Sequence, residues 1–113
     1  MVTKYRNKKI EIHGIKFDSN KEMYRYLELV QFEKEGKIRG LELQKVFELI
    51  PRVKLEGKYK PALRYIADFS YVDAETDEVI VEDVKSAYTA KLPVYRIKKH
   101  LLKYLYGIEI REI

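Results

Sequence analysis

The spacing of apolar residues changes period several times along the chain. Ile10 and Ile12 alternate with charged residues, His13-Gly14 supplies a turn, and Ile15 and Phe17 resume the alternation, which predicts a β-hairpin over Tyr5–Phe17. Ser19 then stands as a helix N-cap. Met23, Leu27 and Val30 fall at helical spacing within a helix predicted over Asn20–Glu35, and Gly36 ends it. Leu41–Leu55 reads as a long strand interrupted by Pro51, with Gly57 and Pro61 at the following turn. Tyr65–Val72 and Glu78–Lys85 read as two strands joined by a loop at Asp73–Asp77. Lys91–Tyr106 is a second helix, with Pro93 in its first turn, an apolar stripe of Val94, Ile97, Leu101 and Leu105, and Gly107 at its end. Ile108–Ile113 closes as a short strand. The expected architecture is α/β: an N-terminal β-hairpin, residues 1–17, then an α-β-β-β-α-β core with a mixed sheet, residues 18–113. The whole is expected to be a single domain, as 113 residues suit one core.

Composition narrows the chemistry. With 46% hydrophobic and 36% charged residues the chain is too apolar for disorder and too charged for a membrane protein. It has no cysteine, so a disulfide framework, a thiolate zinc site and a cysteine nucleophile are all excluded. No signal peptide or membrane-spanning stretch is expected, and a cytoplasmic location is. The net charge of +5 is unevenly spread. Residues 1–60 carry 15 Lys/Arg and 9 Asp/Glu, residues 61–90 carry 2 and 7, and residues 91–113 carry 6 and 2. An acidic centre between basic flanks suits a polyanion-binding surface around a carboxylate site.

Three segments have the form acid-any-Lys: Glu35-Gly-Lys37, Glu56-Gly-Lys58 and Asp83-Val-Lys85. Only the third lies in a β-branched run, Val79–Lys85, where residues two apart share a face, so Asp83 and Lys85 are expected to project together. A four-residue loop at Ala74–Asp77 would pair Asp73 with Glu78 and set Asp68 opposite Asp83. Facing carboxylates repel unless something binds between them, and hard oxygen donors at that separation suit Mg²⁺ or Mn²⁺. The bland alternative is a surface ion pair between Asp83 and Lys85, with Asp68 as an edge charge. Glu82 is expected on the opposite face from Asp83.

Asp68 followed by Asp83-Val-Lys85, after a helix bearing Glu22, resembles the PD-(D/E)XK nuclease superfamily. Phe17–Glu22, Leu41–Gln44, Tyr65–Phe69 and Val81–Lys85 are similar to the wording of a small phage-encoded family within it, although Ala67 stands where the superfamily name has proline. The resemblance implies a restriction-endonuclease-like core and a Mg²⁺-dependent DNA endonuclease, with Mn²⁺ as a substitute ion. Asp68 and Asp83 would ligate the metal. Glu22 would be a further ligand, although Ser19–Glu22 also reads as a capping box. Lys85 would orient the attacking water and meet charge on the phosphate, and Gln44 is a secondary catalytic candidate. A bacterial host cell would be the location if the chain is phage-encoded. Many relatives act as homodimers, which would present two sites to branched or flapped DNA. The competing expectation is a non-catalytic nucleic-acid-binding module on a degenerate nuclease fold.

Phosphate contacts are expected from the N-terminal Lys4, Arg6, Lys8 and Lys9, and from Lys91, Arg96, Lys98, Lys99 and Lys103 on the second helix. His13 and His100 are too few and too far apart to form a metal site; His100 counts with the basic helix.

Overall fold

The structure is a computed structural model that describes residues 9–113. Strands β1 (Ile10–Ile12) and β2 (Ile15–Phe17) form the first hairpin. His13 and Gly14 both have positive φ, 54° and 76°, the geometry that lets a two-residue turn follow the twist of its strands. Helix α1 (Asn20–Lys34) begins at Ser19, whose side chain accepts from the Glu22 amide. Its end is closed by Gly36 at φ 77°, with Gly36 N–H bonded to Glu33 and Lys37 N–H to Phe32. Paired bonds of this kind satisfy carbonyls that a helix end leaves open, and the left-handed residue they need is favoured as glycine.

The central sheet has the order β3-β6-β7-β8. Strand β3 (Ile38–Ile50) pairs antiparallel with β6 (Leu63–Asp73), β6 pairs antiparallel with β7 (Val79–Asp83), and β7 runs parallel to β8 (Ile110–Glu112). The parallel step needs a crossover, supplied by a 3-10 turn at Thr89–Lys91 and helix α2 (Pro93–Tyr106). The α/β class and the mixed sheet are as expected. The interrupted long strand is in fact two structures: β3 stops before Pro51, and β4 (Val53–Leu55) and β5 (Lys58–Lys60) form a separate two-stranded ribbon.

The two helices pack on opposite faces of β7. Phe69, Tyr71, Ile80 and Val84 join α1 residues Met23, Tyr26 and Leu29 in one core cluster. Tyr65, Ala67, Val81 and Ile110 join α2 residues Tyr95 and Leu102 in another. In an uninterrupted strand Tyr65, Ala67, Phe69 and Tyr71 would share a face. Here the first pair lies under α2 and the second under α1, so β6 exchanges its faces around Asp68. On the neighbouring strand at this level, Gln44 takes a left-handed φ of 55° and the β3–β6 ladder skips it.

The stripe expected to bury α2 does not do so. Val94 and Ile97 are 66% and 60% exposed, Leu105 is exposed, and Leu101 is only half-buried. The buried positions are Tyr95 and Leu102, one heptad apart. They fill the hollow lined by Phe47, Tyr65 and Val81, and the Tyr95 hydroxyl reaches Glu112 on β8. Aromatic contact and this hydrogen bond set the rotation of the helix.

Candidate active site

Strand register brings the first two acids together. The pairs Phe69–Glu82, Ser70–Val81, Tyr71–Ile80 and Val72–Val79 extend to set Asp68 against Asp83, as the Ala74–Asp77 loop implies. The Asp73 side chain steadies that loop by accepting from the Glu75 and Thr76 amides at 2.8 and 3.1 Å. Beyond Glu82 the backbone ladder gives way to side chains. The Asp68 amide donates to Asp83 Oδ1 at 3.2 Å, and the Val84 amide donates to Asp68 Oδ2 at 2.8 Å. Each carboxylate thus takes the place of a strand carbonyl for the other strand, which fixes both at the point where the strands part.

Asp83 is 2% exposed. Its Oδ2 accepts from the Tyr65 hydroxyl and lies 3.1 Å from Lys85 Nζ. The ammonium also sits 4.5 Å from the centre of the Tyr95 ring. Tyr95 and Lys99 both bond to Glu112 Oε2, at 2.7 and 2.8 Å, so the wall beside Lys85 is held from α2 and β8 together. Burial, with the bond to Asp83, pushes the Tyr65 phenol well above its usual range and keeps it a donor.

Glu22 enters from α1, buried at 8% exposure. Burial raises its pKa first and the Asp18 charge adds to this; the Asp18 amide and the Asp68 side chain pull it down, and Asp83 pushes it up slightly. Asp68 is raised to about 7, by burial first, then by hydrogen bonding to Asp83, against the opposing Val84 amide. Burial is the main cause of both shifts, and repulsion from the neighbouring carboxylates adds to it. Gln44 Nε2 lies 3.5 Å from Asp68 Oδ1, at the limit of a hydrogen bond. Glu22, Asp68, Asp83 and Lys85 therefore fall in one neighbourhood, with Gln44 at its rim.

Helix α1 packs on the face of β7 opposite Asp83 and Lys85. Alternation along β7 sends Ile80, Glu82 and Val84 to α1, and Val81 and Asp83 to α2. Glu22 lies close enough to Asp68, where β6 exchanges faces, for each carboxylate to affect the other's pKa. Glu82 points away from Asp83, as its parity requires. It is fully buried and gripped by Arg25, with Nε–Oε1 at 2.7 Å and Nη2–Oε2 at 2.6 Å, and it also accepts from the Tyr71 hydroxyl. Arg25 stands three residues after Glu22 on α1, so this clamp positions the glutamate. Arg25, Tyr65 and Tyr95 were not among the residues expected at the site. An acid in an apolar run, Glu82, was the one signal that a buried cation had to exist.

The donor set suits a hard divalent ion: Asp83 Oδ1 and Asp68 Oδ1 carry the lightest hydrogen-bonding load of the four oxygens. Among the described residues no group of three or more Asp, Glu, His or Cys side chains is drawn together closely enough to form a complete metal cage. Two protein carboxylates with a third nearby match the coordination of Mg²⁺, which keeps waters and takes substrate oxygens.

Of the residues expected to meet phosphate, Lys4, Arg6 and Lys8 lie outside the described residues. Lys9 pairs with Asp18 at 3.1 Å. Lys91 and Arg96 are exposed and Lys98 is half-buried on α2. Lys99 is engaged with Glu112, and Lys103 lies 3.4 Å from Glu109. No helix among the described residues is long and apolar enough to cross a membrane.

No curated protein and no solved structure matches the chain. A family model described as a protein of unknown function (DUF1064) matches residues 2–112, and the chain belongs to that family.

Proposed function

We propose that the protein is a metal-dependent nuclease that hydrolyses phosphodiester bonds of DNA. The observation that carries this reading is the reciprocal bonding of Asp68 and Asp83 at the parting of β6 and β7, with Lys85 on Asp83. A fold does not tie two carboxylates face to face, at a cost in repulsion, for a surface ion pair alone. Asp68 and Asp83 would hold Mg²⁺, with Glu22 contributing directly or through water. The bound ion would supply Lewis-acid stabilisation of the phosphate oxygens and a water of lowered pKa.

The chain's own groups do the rest. Lys85 carries a positive charge that is ordered before substrate arrives, by Asp83 and by the Tyr95 ring. Such a charge stabilises the transition state without reorganising. Tyr65 keeps the Asp83 carboxylate from turning, and Gln44 steadies Asp68. Without a separate recognition domain in these residues, cutting selected by DNA shape, at branches or flaps, is the mode the reading favours. Labelled linear, flapped and four-way DNAs incubated with Mg²⁺ and with EDTA test it. The reading expects Mg²⁺-dependent products from at least one substrate. Binding without cleavage of any would leave a non-catalytic DNA-binding module instead.

A further inference from the structure

The ribbon of β4 and β5 has no part in the carboxylate site and is separate from the central sheet, and its composition sets it apart. All of Pro51–Pro61 is exposed. Within that span Arg52, Lys54, Lys58 and Lys60 are basic, and Glu56, at the tip, is the one acid. None of the four cations is paired with a carboxylate among the described residues, in contrast to Lys99 and Lys103 on α2. Pro51 and Pro61 flank the base, where they remove backbone donors and break the ladder that joins β3 to β6 at Ile50–Leu63. Glu56 and Gly57 turn the tip at φ 52° and 77°. The ribbon thus has its own register, Val53–Lys60, Lys54–Tyr59 and Leu55–Lys58, and few partners outside itself.

Its two faces differ. Arg52 lies 4.4 Å from the centre of the Tyr59 ring and Lys54 5.7 Å, so one face is an aromatic plate carrying two cations. The other carries Val53 and Leu55 beside Lys58 and Lys60. A lone two-stranded ribbon is marginal in water. Cations kept along both edges, free of carboxylates, suit a polyanion that can be approached from a groove. The major groove of duplex DNA, about 12 Å wide, admits a two-stranded β-ribbon and puts phosphates on both sides of it.

We infer that the β4–β5 ribbon is an arm that grips duplex DNA, through Arg52, Lys54, Lys58 and Lys60 to phosphates and Tyr59 to the groove wall. Chain length bounds where it grips. Lys58 precedes Asp68 by ten residues, at most about 36 Å of extended chain. One turn of B-DNA is about 34–36 Å. The arm therefore holds the duplex within one turn of the phosphate at the carboxylates. This inference rests on DNA being the substrate but not on catalysis.

The test is binding of a labelled duplex by the full chain in EDTA, where no cleavage intervenes, at several salt concentrations. It compares wild type with the variant carrying Arg52→Ala, Lys54→Ala, Lys58→Ala and Lys60→Ala. Each lost phosphate contact flattens the plot of log affinity against log salt by about 0.9, so the loss of four gives a slope shallower by about 3.6, with at least about tenfold weaker binding at moderate salt. A quadruple variant with the wild-type slope and affinity overturns the arm while leaving DNA as substrate. Wild type that binds no duplex overturns both. Ribbon-dependent binding to anionic phospholipid vesicles with none to DNA also overturns the arm. A second measurement is independent of the quadruple variant's folding. Because the chain has no native cysteine, Lys58→Cys can carry a single iron-chelate label. Strand breaks in the bound duplex support the arm, and a bound duplex left intact overturns it.

Discussion

Arg25 and Glu82, 57 residues apart, form a two-pronged ion pair with Nε–Oε1 at 2.7 Å and Nη2–Oε2 at 2.6 Å, and the glutamate is sealed from solvent. The pair ties α1 to the middle of the sheet. Glu82 is next to Asp83, and Arg25 is one helical turn from Glu22. One clamp therefore registers the two halves of the candidate site, through alternate faces of a single strand.

Removing the cation should expose what the clamp does. Arg25→Ala leaves a buried carboxylate with only the Tyr71 hydroxyl, and breaking a buried pair from one side costs about 3–5 kcal/mol. Urea unfolding should show that loss. Arg25→Lys should recover part of it, since an ammonium keeps the charge but not the fork. A loss below about 1 kcal/mol, typical of surface pairs, would mean the clamp does not hold the helix.

Acid–base linkage at Asp68 gives a second expectation. Its folded pKa, about 7, lies above the ordinary 3.8, so the native state binds more protons between those values. Its contribution to stability is present in full below about pH 4 and is lost as pH rises through about 7. In metal-free protein, urea unfolding from pH 4 to 8 should show this decline, at no more than about 1.4 kcal/mol per pH unit. Asp68→Asn should flatten it. An unchanged slope in that variant would place the proton elsewhere.

A divalent ion should take the place of that proton. Millimolar Mg²⁺ or Mn²⁺ should raise the melting temperature, since a ligand at about 100 times its Kd adds about 2.7 kcal/mol. Asp83→Ala should abolish the rise, and relief of repulsion with Asp68 offsets part of that variant's own destabilisation. Melting curves unmoved by either ion in wild type would favour a purely structural role for the opposed acids.

Much of this was legible in the sequence because it depended on local signals. The turn chemistry of Asp73–Asp77 fixed a register, and the register set Asp68 against Asp83. Alternation sent Glu82 to the opposite face. What was not legible depended on distant contacts. Nothing near Glu82 in the chain names Arg25 as its partner. The face exchange at Asp68 lies beside a left-handed Gln44 on another strand, and glutamine gives no sign of that conformation. Helix α2 was rotated from its apolar stripe by Tyr95, whose partners lie on β8 and over Lys85. The ribbon had a local signal, Glu56-Gly57 between alternating segments, which Pro51 masked by making one long strand look merely interrupted.

Cleavage and binding should separate at Lys85. One ammonium among many cations adds little to DNA affinity, but Lys85 alone is ordered against Asp83 beside both carboxylates. The most direct measurement is the single-turnover rate of Mg²⁺-dependent DNA cleavage at saturating protein, wild type against Lys85→Ala, with affinity measured alongside in EDTA. The account predicts an affinity within about twofold of wild type and a rate lower by at least about a hundredfold, the scale of one preorganised charge. Equal cleavage rates in the two proteins would contradict it.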